Sequence, residues 1–162
     1  MAAKTVDKRG TKPVATNRMA RRDYEILEIL ECGLVLKGSE VKALREGKVQ
    51  LNDAYARVRD GELWLSGMHI AAYSHGTGAF NHEVDRDRKL LVHRSDILHL
   101  RARVDQERLA LVPLSLYFKD GRAKVELAVG KARKNYDKRQ ALAKRDADLE
   151  TRRAVARVGR DD

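Results

Sequence analysis

Apolar residues crowd the stretch from Tyr24 to Leu36, including Ile26, Leu27, Ile29, Leu30 and Leu34. Ile26, Leu27 and Leu30 also fit a helical stripe, but the density of Ile, Leu and Val favours a long, bulged strand bending at Gly33. The alternation is cleaner near the other end of the chain. Leu114, Leu116 and Phe118 are expected on one face of a strand that begins near Leu109. Beyond Asp120-Gly121, the residues Ala123, Val125, Leu127 and Val129 alternate with Lys124 and Glu126. Asp60-Gly61 and Asp120-Gly121 predict two hairpins with type I′ turns, where both central residues need positive φ.

Two helices fit between the strands. Ser39 is expected to cap Glu40 to Glu46, with Gly47 as the C′ residue and Val41 and Leu44 facing inward. Ser95 is expected to cap a second helix whose Ile97, Leu98, Leu100 and Val104 make the apolar stripe. Residues 73–87 read as a polar loop, and Lys89 to His93 as a further strand. About six short strands, two short helices and no βαβ rhythm imply a mostly β protein. The expected architecture is a small antiparallel barrel of OB type.

The ends differ from the body. Residues 1–16 read as a flexible basic arm and 17–130 as the barrel. Residues 131–162 read as a basic tail, helix-prone but with few large apolar groups, disordered until bound to a partner. Charge sharpens this division. The net charge is +10, but residues 1–22 carry seven Lys/Arg against one acid and 131–162 carry eleven against six. Residues 23–130 carry sixteen against seventeen. A near-neutral body with basic ends points to a polyanion, with nucleic acid ahead of an anionic membrane because neither end has a wide apolar face. With aromatics at only 5%, stacking platforms for single strands are scarce, which favours folded RNA without excluding DNA.

No catalytic constellation emerges. His75 and His82 flank Asn81 in the polar loop, but their spacing matches no standard zinc pattern. The single cysteine, Cys32, suits an apolar strand and a reducing compartment. Neither a nucleophile elbow nor a Walker or Rossmann spacing is present, and no apolar run is long enough to span a membrane. The readings are a non-enzymatic protein, no cofactor, no metal and a cytoplasmic location. The N-terminus lacks the apolar core of a secretory signal, and a transit peptide stays open.

Several segments then combine. Asn17 to Tyr24, Gly33 to Lys42, Leu44-Arg45, Gly47-Lys48, Met68 to Ile70, Phe80 to His82, Arg88 to His93, Leu116 to Glu126 and Tyr136 to Arg139 occur in order. Together they closely resemble the small protein B family from about Asn17 to Asp146. The resemblance implies an OB-like barrel that binds the tRNA-like domain of tmRNA. It implies delivery, with elongation factor Tu, into the vacant A site of a stalled ribosome in trans-translation. Glu31, Leu91 and Lys124 match positions tied to tmRNA binding, and Asn17, Arg45, Arg86, Arg88 and Lys89 are further candidate contacts. In the tail, Lys131, Lys134, Tyr136, Asp137, Lys138 and Arg139 are candidates for the small-subunit decoding centre and the empty mRNA channel. Loop 74–80 and residues 157–162 follow no clear family pattern. A general ribosomal-RNA protein or an RNA-modifying enzyme is the alternative on charge layout alone.

Overall fold

A computed structural model describes residues 9–76 and 81–133, together with residues 145, 147 and 149–153. Strands β1 (Thr11–Thr16), β2 (Tyr24–Leu34), β3 (Val49–Gln50), β4 (Tyr55–Arg59) and β5 (Glu62–Ser66) occupy the first half. Strands β6 (His69–Ile70), β7 (Arg88–Leu91), β8 (Ala110–Lys119) and β9 (Arg122–Ala132) follow. Helices α1 (Ala20–Asp23), α2 (Gly38–Arg45) and α3 (Arg94–Glu107) lie between them.

The main sheet runs β1-β8-β4-β5-β7-β2-β9, and β9 pairs again with β8. That second pairing closes a ring of six antiparallel strands, with β1 as an added edge and β3-β6 as a separate pair. Closure removes most open edges. The protein is thus mostly β, an OB-like antiparallel barrel.

Both hairpins form as the Asp-Gly pairs require. Asp60 and Gly61 have φ of 53° and 75°, and Asp120 and Gly121 have 52° and 75°, the type I′ signature. At Gly67, φ is +76° and a Cβ would stand 2.5 Å from the Asp53 carbonyl oxygen. Only glycine fits there.

The barrel core takes one face of each strand. Cys32 and Leu34 of β2, Leu63 and Leu65 of β5 and Leu90 of β7 all enter it. From β8 and β9 come Leu116, Phe118, Val125, Leu127 and Val129. Leu63, Leu65, Leu90, Leu116 and Leu127 are at most 1% exposed, each stabilising the fold by about 1.5–3 kcal/mol relative to exposure. Ala43 and Leu44 of α2 and Leu100 of α3 join the same core. Outside the wall, Ala20 of α1 packs with Val112, Leu114 and Ala128.

Five local expectations are corrected. Residues 11–16 are not a free arm: they pair with Ser115 to Lys119 of β8. A bulge between Pro113 and Ser115 turns Leu114 outward under α1, away from Leu116 and Phe118. The N-cap residue of α2 is Lys37 rather than Ser39; the Lys37 N–H donates to the Glu40 carboxylate at 2.8 Å, and Ser39 Oγ instead meets His82 Nδ1 at 2.9 Å. His93, not Ser95, is the N-cap residue of α3, and its carbonyl accepts from the Asp96 and Ile97 N–H groups. Leu98 is 58% exposed and lies off the α3 stripe, while Ile97, Leu100 and Val104 pack inward.

Candidate nucleic-acid interface

Side chains alternate across the wall, so whatever is not in the core faces out. Cross-strand register fixes which outward residues meet. Thr16 of β1 is opposite Ser115 of β8, which is opposite Glu126 of β9, which is opposite Glu31 of β2. The next row holds Pro13, Tyr117, Lys124, Gly33 and Leu91 of β7. Glu31, Leu91 and Lys124 are 93 residues apart at their extremes, yet they share this one face. A Cβ at Gly33 would stand 3.2 Å from Leu91 Cβ, so the glycine leaves room for Leu91 to lie over the strand. Leu91 and Val35 stay 53% and 43% exposed. Val35 donates its N–H to the Lys89 carbonyl, which places an apolar ledge beside Lys89.

The charges on this face are ordered. The Tyr117 hydroxyl donates a short hydrogen bond to Glu31 Oε2, and Lys119 Nζ lies 3.5 Å from the same oxygen. Tyr117 is 2% exposed. Burial, then the bond to Glu31 and its negative charge, hold the phenol well above its ordinary range, so it stays a donor. Among the described residues no carboxylate lies within ion-pair distance of Lys124. Asn17 sits at the corner of this face, buried, its Nδ2 donating to Pro113 O at 3.1 Å. Its amide thus holds the β8 bulge, and exposed Arg18 and Arg21 line the shallow hollow beside it with Ser115 and Glu126.

The basic run at 86–89 divides. Arg88 shares the parity of Leu90 and points inward, fully buried. Its Nε meets Glu40 Oε2 at 2.6 Å, and its other nitrogens donate to the carbonyls of Met68, Glu83 and Val84. Arg86 donates to Glu40 Oε1 from Nε and Nη2, at 3.1 and 2.5 Å. Burial alone would raise the Glu40 pKa, but hydrogen bonds from Arg86, the Lys37 backbone and Arg88 overcome it and hold the carboxyl below the usual range. The expectation that Arg88 touches RNA is therefore corrected: with no exposed surface and a full set of partners it supports the barrel. Arg86 is mostly occupied by the same carboxylate. Lys89, of opposite parity, faces out and pairs with Glu62 at 2.9 Å. Arg45 is exposed at the end of α2, its guanidinium 4.8 Å from the Phe118 ring centroid.

Lys131 is exposed at the end of β9. Lys134, Tyr136, Asp137, Lys138 and Arg139 lie outside the described residues. His82 is buried, its Nε2 donating to the Ile70 carbonyl and its Nδ1 lying 2.9 Å from Ser39 Oγ. A groove of about 890 Å³ opens between α1, β4 and α3, with Tyr24, Tyr55, Arg57 and Arg101 on its walls. Among the described residues no histidine, cysteine or serine lines it. No described helix is long and apolar enough to cross a membrane. Tyr117 and Lys119 escaped the sequence reading. The signal available was their parity: both alternate with core residues Leu116 and Phe118, opposite Lys124 and Arg122.

These features define a class, the OB-like barrels whose open wall carries a row of paired and unpaired charges. The particular family follows from comparison. Residues 14–157 match the model of the SmpB protein family, and the chain belongs to that family. The SsrA-binding protein of Desulforudis audaxviator is 56% identical over 144 residues, covering 89% of this chain and 94% of that one. The SsrA-binding protein of Mycobacteroides abscessus is 52% identical over 157 residues, covering 97% of each. A solved chain described under "tmRNA-SmpB: a journey to the center of the bacterial ribosome" is 46% identical, with a TM-score of 0.64. It covers 80% of this chain and 94% of its own length.

Proposed function

We propose that this protein is an RNA-binding adaptor that holds the tRNA-like domain of tmRNA and brings it to the A site of stalled ribosomes in trans-translation. The observation that carries the reading is the shared outer face. Register places Glu31, Leu91 and Lys124 together there, on a wall bordered by Arg18, Arg21 and Lys89. Cations on a rigid sheet suit folded RNA, whose phosphates and 2′-hydroxyls are read largely by shape. The family and the names of its relatives point the same way.

Arg45 and Arg86 are contacts at the α2 end, and Asn17 shapes the corner that presents Arg18 and Arg21. Lys131, Lys134, Tyr136, Asp137, Lys138 and Arg139 act after tmRNA is bound, at the decoding centre and in the mRNA channel. A basic, helix-prone tail can order against ribosomal-RNA phosphates, and an occupied channel excludes it. Elongation factor Tu is met through the tmRNA complex. The protein works in the cytoplasm and catalyses no reaction.

The test is a titration with the tRNA-like fragment of tmRNA, in excess ordinary tRNA and at several salt concentrations. Tight binding that survives the competitor is expected, with affinity falling ~10³-fold or more between about 50 and 200 mM salt if six or more phosphates are neutralised. Equal competition by tRNA would leave only generic polyanion affinity.

A further inference from the structure

Tryptophan occurs once in this chain, at Trp64, and the fold puts it on the outside of the barrel. Its neighbours Leu63 and Leu65 fill the core with no exposed surface. The indole has the opposite parity and stands half-buried on the outer face of β5. Register places it between two cations, Arg57 of β4 on one side and Lys89 of β7 on the other. The Arg59 guanidinium lies over the ring, 4.8 Å from its centroid. Two carboxylates accompany these three cations. Lys89 pairs with Glu62 at 2.9 Å, and Arg57 and Arg59 each stand 3.5 Å from Asp87. All five charged side chains keep between 34% and 49% exposure, so the pairs contribute little to folding and are free to exchange with phosphate.

Strand β7 joins this patch to the face described above. Lys89 is opposite Trp64, while Leu91, two residues on and pointing the same way, is opposite Gly33 in the row that holds Lys124. An RNA seated on that row reaches the indole by crossing one strand. Charged groups on every side of the ring leave no apolar area wide enough for the core of a protein interface, which favours RNA as the occupant. Resting on the adaptor reading above, we propose that Trp64, set between Arg57 and Lys89, is a stacking platform for one unpaired base of the same RNA. The indole presents a flat π-face that any base can use. Folded RNA offers such bases in its loops and bulges, and a single platform holds a single base. The base takes the place of the Arg59 guanidinium. An exposed cation–π contact is weaker than a base–aromatic stack, so the exchange favours binding.

The experiment titrates the tRNA-like fragment against the full chain and follows two signals, the anisotropy of a labelled fragment and the fluorescence of the single tryptophan. Stacking quenches indole emission, so the quench is expected to saturate together with the anisotropy. Trp64→Leu keeps an apolar cover on the strand but has no π-face. It is expected to bind about ten-fold more weakly, with an unchanged salt slope because no charge is removed. Trp64→Phe keeps a ring and is expected to recover most of that loss. Abasic substitutions at the unpaired positions of the fragment locate the base. One position is expected to abolish the quench in the wild type and to cost nothing further in Trp64→Leu. Tight binding without a quench, equal affinity of Trp64→Leu and wild type, or abasic losses that all persist in Trp64→Leu would overturn the inference and leave the adaptor reading standing. The first of these outcomes needs no variant, so it decides even where Trp64→Leu folds poorly. A wild-type chain that fails to bind the fragment, or loses it equally to ordinary tRNA, would overturn the adaptor reading itself.

Discussion

Two groups of charged side chains, one beneath helix α2 and one on the outer wall, use the same residue types in opposite ways. Beneath α2, Glu40 and Arg88 are both fully buried, and Arg86 closes over them. On the wall, Glu31 and Lys119 keep 23% and 29% exposure. In the first group Glu40 and Arg88 are turned wholly to the protein, and only Arg86 keeps 22% exposure. The second leaves groups facing solvent that a partner can use. The lesson is that burial, not residue type, separates a structural charge from a binding charge. Desolvation makes an unpaired buried ion intolerable, so a buried pair must be internally complete. An exposed pair contributes little to folding and is free to act elsewhere.

The strongest way to break this contrast is to remove Glu40. Glu40→Ala leaves Arg88 buried without its carboxylate and is expected to cost about 3–5 kcal/mol of stability. Denaturant melting checks it; a loss under about 1 kcal/mol, within the range of exposed pairs, would mean the group is not complete in itself. Acid probes the same carboxyl. Its folded pKa lies below the unfolded one, so the stabilisation is present above about pH 4.3, the ordinary Glu value, and is lost as pH falls through the lower folded value. Thermal melts below that range should show a smaller acid loss in Glu40→Gln than in the wild type, once their neutral-pH difference is subtracted.

On the wall the order of effects reverses. Lys124→Ala is expected to change stability by no more than about 0.5 kcal/mol while weakening RNA binding about ten-fold by removing one charge-assisted phosphate contact. Titration and melting on the same sample compare the two readouts directly, and a stability loss as large as that of Glu40→Ala would erase the distinction. The smallest effect belongs to Glu107, 53% exposed and paired with Arg103 at 3.0 Å one helical turn away. Glu107→Ala should cost about 0.5 kcal/mol or less and leave RNA affinity unchanged.

Legibility in the sequence followed the range of the interactions involved. Lys124 was readable because β9 alternates cleanly, with Val125 and Leu127 entering the core and Lys124 and Glu126 turned out. Arg88 was misread because a basic cluster at 86–89 looks like a surface, although its parity with Leu90 was there to be used. Leu114 was misplaced because a bulge resets alternation, and its one local mark, Pro113 within the strand, was not used. Tyr117 was missed because its partner, Glu31, is 86 positions away.

By itself, then, the sequence determined what depends on neighbours along the chain. The two Asp-Gly turns, the alternating faces of β9, the apolar run of β2 and the segregation of charge to the ends all arise from backbone torsions and composition. Only the tertiary structure decided the rest. It added residues 11–16 to the wall, paired β9 with β2 and β8 with β4 to close the ring, put Arg88 against Glu40 and set Tyr117 beneath Glu31. Each of these is a pairing between distant segments, whose register is chosen by the combined burial of the whole core and the placing of bulges. No short window of residues contains that information.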